Sequence, residues 1–92
     1  MSDVTLLKLE YDLVFREVED YEADHNIQDF FIDADETYCK LLIKRKKAYA
    51  EYMKAKVGID WYNKRYAEVV NHMISIYNEK IRYLKWNSRR MD

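Results

Sequence analysis

His72 and Glu68 lie four residues apart in a stretch with helical spacing, so an imidazole and a carboxylate share one helix face. That pairing suits proton transfer or half of a metal site. Neither a Glu-x-x-His nor a His-Glu-x-x-His pattern completes it, so it reads as a structural pair. His25, beside Asp24, falls in a polar stretch that a catalytic base seldom occupies without further partners. Cys39 sits between Tyr38 and Lys40, and Lys40 or Lys44 would favour its thiolate. As the single cysteine it has no disulfide partner in the chain, and a small core side chain is its simplest role. Asp29, Asp33, Asp35 and Glu36 gather carboxylates without the alternating ligands and central glycine of a calcium loop. They suit an acidic first turn, favoured by the helix dipole. Gly58, the lone glycine, leaves no material for a phosphate loop. These residues supply no catalytic, cofactor or metal assignment, and the expectation is a non-enzymatic protein without a small-molecule substrate.

Binding chemistry is better represented. Lys40, Lys44, Lys47 and Lys54 share a helix face, with Arg45 and Lys46 beside them. Near the C-terminus Arg82, Lys85 and Arg89 share another, interleaved with Tyr83, Trp86 and Arg90. Cations neutralise phosphates and aromatic rings stack on unpaired bases, so Lys44, Arg45, Lys47, Arg82, Lys85, Trp86 and Arg89 form a candidate contact set for single-stranded nucleic acid. The competing explanation is local: cations complement a helix C-terminus, and Trp86 can serve a core or an interface. Glu10, Glu17, Asp20, Asp24, Asp29, Asp33, Asp35 and Glu36 form the opposite candidate, an acidic surface for a basic groove on another protein.

The run Lys44 to Lys56, Lys-Arg-Lys-Lys-Ala-Tyr-Ala-Glu-Tyr-Met-Lys-Ala-Lys, precedes an aromatic helix and resembles small helical phage accessory proteins, including recombination mediators. The resemblance covers under a fifth of the chain and carries no functional residue across.

These two candidates reflect a sorting of charge along the chain. Residues 1–36 hold twelve acidic side chains against two basic ones, a formal −10, and residues 37–92 hold fourteen basic against five acidic, a formal +9. The net of −1 therefore conceals a dipolar molecule whose charge bears on association rather than fold.

The elements that must carry these groups are helices. One Gly and no Pro leave long helices uninterrupted, and 15% aromatic content argues against disorder. A first helix is predicted over about 3–22, with Val4, Leu7, Tyr11, Val14, Val18 and Tyr21 spaced three and four apart as a dimer or packing seam. Leu6, Leu9, Leu13 and Phe15 lie off that seam and predict burial from a second side. A polar connection over 23–28 leads to a helix over about 29–57, beginning at Asn26 or at Asp33, where Asp33 and Glu36 fit a capping box. Its apolar side is Tyr38, Leu41, Leu42, Ala48, Tyr49, Tyr52, Met53 and Ala55. Gly58 ends it, with Ile59 packing back near Met53 and Asp60 capping a third helix over about 60–88. That helix carries Tyr62, Tyr66, Val69, Val70, Met73, Ile74, Tyr77, Ile81 and Leu84 as its stripe.

Ninety-two residues make one helical domain, 1–92. The fold class is all-α: a short N-terminal helix plus a long antiparallel helical hairpin. The hairpin is longer than the first helix can cover, so pairing into a dimeric helical bundle is expected. With no signal peptide and no membrane-length apolar run, a cytoplasmic protein is expected, with another protein as partner, nucleic acid as the alternative and no membrane.

Overall fold

Side-chain carboxylates decide where two of the helices begin. In the computed structural model, which describes residues 3–90 and side chains as far as residue 88, α1 spans Asp3–Asp24, α2 Phe30–Asp33, α3 Glu36–Val57, α4 Ile59–Arg65 and α5 Ala67–Arg90. The all-α class is as the sequence predicts, with no strand among the described residues. No helix among them is long and apolar enough to cross a membrane.

α1 runs two residues beyond the predicted end. It closes with backbone bonds from His25 N–H to Tyr21 O and from Ile27 N–H to Glu22 O, around Asn26 at φ +51°. Asparagine tolerates that left-handed conformation better than most residues. The helix predicted over 29–57 is divided at Ala34 and Asp35, both extended. Asp29 caps α2 through the Phe31 N–H at 2.8 Å, and the Asp33 carboxylate accepts from the N–H groups of Gln28 and Asp29, each at 3.0 Å. These bonds lower the Asp33 pKa. The cap of α3 is Asp35, which accepts the Tyr38 N–H at 2.7 Å, and not Asp33 as the Asp33–Glu36 spacing predicts. Short acidic side chains offered the backbone local alternatives to one continuous helix.

Gly58 ends α3 at φ +91°, ψ 149°, and its N–H donates to Lys54 O. It also opens α4, its carbonyl accepting the Tyr62 N–H at 2.9 Å, so the cap is Gly58 and not Asp60. Ile59 is 64% exposed and does not pack back on Met53 as the sequence suggested. The helix predicted over 60–88 is interrupted at Tyr66, where φ reaches −122°. Backbone bonds from Tyr66 N–H to Tyr62 O and from Val70 N–H to Tyr66 O carry the ladder through the interruption.

α3 is the central element. α1 packs along one side of it and α5 along another, and among the described residues no Cα atom of α1 lies within 8 Å of one of α5. One core cluster joins Val18, Ala34, Tyr38, Cys39, Leu42 and Tyr77, and a second joins Ala50, Met53, Tyr62 and Val70. Val70, early in α5, thus lies against the end of α3, while Lys85 lies 3.4 Å from Glu36 at its start. Cys39 is fully buried, and desolvation raises its thiol pKa. The stripe of α3 divides between its two neighbours, and Ala55 is exposed. Val69 of the last stripe is 65% exposed. The molecule measures 50 × 28 × 19 Å with a radius of gyration of 15.2 Å. A compact chain of this length would reach roughly 12 Å. The extended layer leaves helix faces without a neighbour.

Candidate interaction surface

α1 shows two apolar faces that meet different fates. Val4, Leu7, Tyr11, Val14 and Tyr21 are half-buried and Val18 is fully buried, all on the side that packs against α3. The Tyr11 ring lies 5.6 Å from that of Tyr49 and 6.2 Å from that of Tyr52, and Tyr21 stacks on Tyr38 at 6.1 Å. The seam is therefore engaged within the chain. Leu6, Leu9 and Leu13, on the other side, are 45%, 53% and 57% exposed. Burying a leucine is worth about 2 kcal/mol, so three exposed side by side mark a surface suited to association.

Next to this face runs a groove of about 490 Å³ between α1 and α3. Leu13, Val14 and Ala48 give it an apolar floor, and Glu10, Glu17, Lys44, Lys47 and Glu51 give it charged walls. Lys44 Nζ lies 3.3 Å from Glu17, joining the acidic and basic parts of the chain. Phe15 faces another way, with the Arg45 guanidinium 5.2 Å from its ring centroid.

The eight acidic candidates differ in what they touch. Glu10 and Glu17 line the groove, and Asp20 and Asp24 are exposed further along α1. Asp29, Asp33 and Asp35 accept backbone N–H groups. Glu36 lies 3.1 Å from Lys40 and 3.4 Å from Lys85; the hydrogen bond from Lys40, ahead of the field of Lys85, lowers its pKa. Half of the set serves the local structure of α2 and α3.

The seven candidates for nucleic-acid contact are also dispersed. Lys44 and Lys47 line the α1–α3 groove, whereas Arg45 lines a different cavity with Tyr38, Leu42, Met73 and Tyr77. Consecutive helical residues point about 100° apart, which separates Arg45 from its neighbours. Arg82 pairs with Glu79, and Lys85 with Glu36. Trp86 is 56% exposed, and the Arg89 side chain lies outside the described residues.

Comparison with known proteins finds no matching family, curated protein or solved structure. The function has to be read from these surfaces.

One surface is absent from the sequence reading. Phe31 and Ile32 of α2 are 77% and 78% exposed, and Phe30 and Phe31 border a second groove with Ile76, Lys80 and Tyr83. Lys80 Nζ donates to Phe31 O at 2.8 Å, fastening α2 to α5. The signal was a short apolar run, Phe30 to Ile32, enclosed by two capping aspartates. Chemically, both grooves offer apolar burial and charge pairing. Among the described residues no three His, Cys, Asp or Glu side chains gather as metal ligands, and His72 and Glu68 are both exposed on α5.

Proposed function

We propose that this chain is a non-enzymatic protein–protein interaction module, an adaptor, assembly factor or inhibitor of the kind that compact viral and phage genomes encode. It works as a homodimer, its α3 and α4–α5 segments forming an antiparallel hairpin that pairs into a helical bundle. The supporting observation is the uncovered face of Leu6, Leu9 and Leu13 on a helix whose other face is already engaged. An apolar face of this kind, bordered by both signs of charge, suits a protein partner.

A second reading, single-stranded nucleic-acid binding, draws on Tyr83 and Trp86, each more than half exposed near Lys80, Arg82 and Lys85. One pair of measurements separates the two. Sedimentation velocity at micromolar protein reports self-association. Fluorescence anisotropy of labelled single-stranded DNA and RNA at about 50 mM and 200 mM salt reports phosphate contacts, whose affinity falls steeply over that range. Self-association without salt-sensitive nucleic-acid binding is expected. A monomer that binds single strands in low salt and releases them in high salt would replace the first reading with the second.

A further inference from the structure

Arg45 faces an apolar cavity without a carboxylate to answer it. Phe30 and Phe31 of α2, Leu42 of α3, and Met73 and Ile76 of α5 enclose about 300 Å³ together with Tyr38 and Tyr77. Arg45 is the one charged residue among the described residues that line it. The α1–α3 groove, by contrast, sets Glu10, Glu17 and Glu51 beside its lysines, and the second groove sets Glu79 beside Lys80. Among the described residues no carboxylate lies within 4 Å of Arg45. Glu22 accepts the Tyr38 hydroxyl at 2.5 Å and is not part of the lining. A guanidinium keeps its charge throughout the working pH range, and the Phe15 ring, its centroid 5.2 Å away, offsets only part of it. Lys46 adds to the local positive field; burial first, and then the charge of Arg45, lower its pKa. Burial raises the Tyr77 pKa against the opposing charge and hydrogen bond of Arg45, which sets the Tyr77 hydroxyl beside the guanidinium.

We infer that this cavity binds a small monocarboxylate with an apolar body, of about the bulk of octanoate, its carboxylate on Arg45 and its hydrocarbon between Leu42, Met73 and Ile76. The planar fork of a guanidinium matches a carboxylate, and the Tyr77 hydroxyl supplies a second donor beside it. The volume is at the small end of the range of ligand pockets, about 300–1,000 Å³. Other chemistries fit less well. A neutral ligand takes water from the guanidinium and returns no charge-assisted bond. A dianion such as phosphate brings a second charge that one arginine does not balance between apolar walls. An amine is repelled. No His, Cys, Asp or Glu lines the cavity, so the ligand is held and not converted. This site goes beyond the interaction-module reading and stands without self-association.

The test titrates the isotope-labelled full chain with octanoate up to about 10 mM and follows backbone amide shifts by NMR. Saturable shifts are expected at α2, around Leu42 to Arg45, and around Met73 to Tyr77. Octanol and octylamine, which keep the tail and change the head, should bind at least about tenfold more weakly. Arg45→Gln should weaken octanoate binding by about tenfold or more through loss of the charge-assisted bond. Ile76→Trp keeps the arginine and fills the space, and should weaken it as much. Circular dichroism checks that each variant is as helical as the parent. If Arg45→Gln does not fold, Ile76→Trp and the comparison of head groups in the parent still decide. Octanol binding as tightly as octanoate would overturn the inference, because the cavity would then select bulk and not charge. Shifts gathered at Leu6, Leu9 and Leu13 would overturn it as adsorption to an exposed apolar face, and so would the absence of any saturable shift.

Discussion

The Tyr21 hydroxyl donates to Asp35 Oδ2 at 2.6 Å, while Oδ1 of the same carboxylate accepts the Tyr38 N–H at 2.7 Å. One side chain thus caps α3 and ties it to the last turns of α1. The hydrogen bond to Asp35 is also the main cause of the raised Tyr21 pKa. Asp35→Ala is predicted to lower stability by about 1–2 kcal/mol through loss of the cap. Tyr21→Phe should lower it further in the parent than in the Asp35→Ala background, because the two residues share a bond. Urea denaturation of the four proteins in the cycle gives both values, and strict additivity would show the tie to be inert.

Gly58 adopts φ +91°, ψ 149°, a conformation that residues with a Cβ rarely enter, although an added Cβ would meet nothing within 4 Å. Gly58→Ala is therefore expected to act through backbone strain alone, costing about 1–3 kcal/mol. For a domain of this size, each 1 kcal/mol lowers the melting temperature by roughly 4–8 °C, so a thermal scan resolves the effect. An unchanged midpoint would mean that the α3–α4 connection relaxes freely.

Acid should loosen the α2–α3 corner first. The pKa of Asp33 is lowered by backbone N–H bonds from Gln28 and Asp29, and that of Glu36 chiefly by the Lys40 hydrogen bond. A depressed folded-state pKa gives stabilisation that is complete above the ordinary carboxylate range, about pH 4, and that fades as pH falls through the folded value. Stability is thus predicted to hold from neutral pH to about 5 and to drop below 4. Asp33→Asn removes that titration and should flatten the decline. A variant with the parent's acid profile would exclude Asp33 as a contributor.

The two faces of α1 should differ in energy. Val18 has no exposed surface, so Val18→Ala removes buried methyl groups and is predicted to cost about 2 kcal/mol. Leu13→Ala, at a side chain 57% exposed, should change the stability of the single chain by less than about 1 kcal/mol. Denaturation at low protein concentration, where association does not contribute, makes the comparison. Equal costs would mean that α1 is rotated from the orientation described.

A spacing of three and four admits one helical face, and along it Tyr11, Val18 and Tyr21 pack on α3. Gly58 was legible because a lone glycine after a helical stretch has few other uses. The break at Ala34–Asp35 was not, since Asp29, Asp33 and Asp35 can each cap a helix and spacing alone does not choose among them. Spacing also does not tell how many neighbours a helix has. The same lack left the exposure of Val69 and Ile59 unforeseen, because the apolar pattern assumed a surrounding core that this layer does not build. The scatter of the basic set has a simpler cause. Lys44, Arg45 and Lys47 are close in sequence, but the turn of a helix sends the middle one toward a different groove.

Because the backbones of α1 and α5 each approach α3 and not each other, the chain has two lines of cooperativity that share one element. Backbone amides of α3 are shielded from both sides and should exchange with solvent most slowly, whereas those of α1 can open by releasing a single helix contact. Loosening of α1 then leaves the Ala50, Met53, Tyr62 and Val70 cluster intact, while a fault in α3 reaches both ends of the molecule.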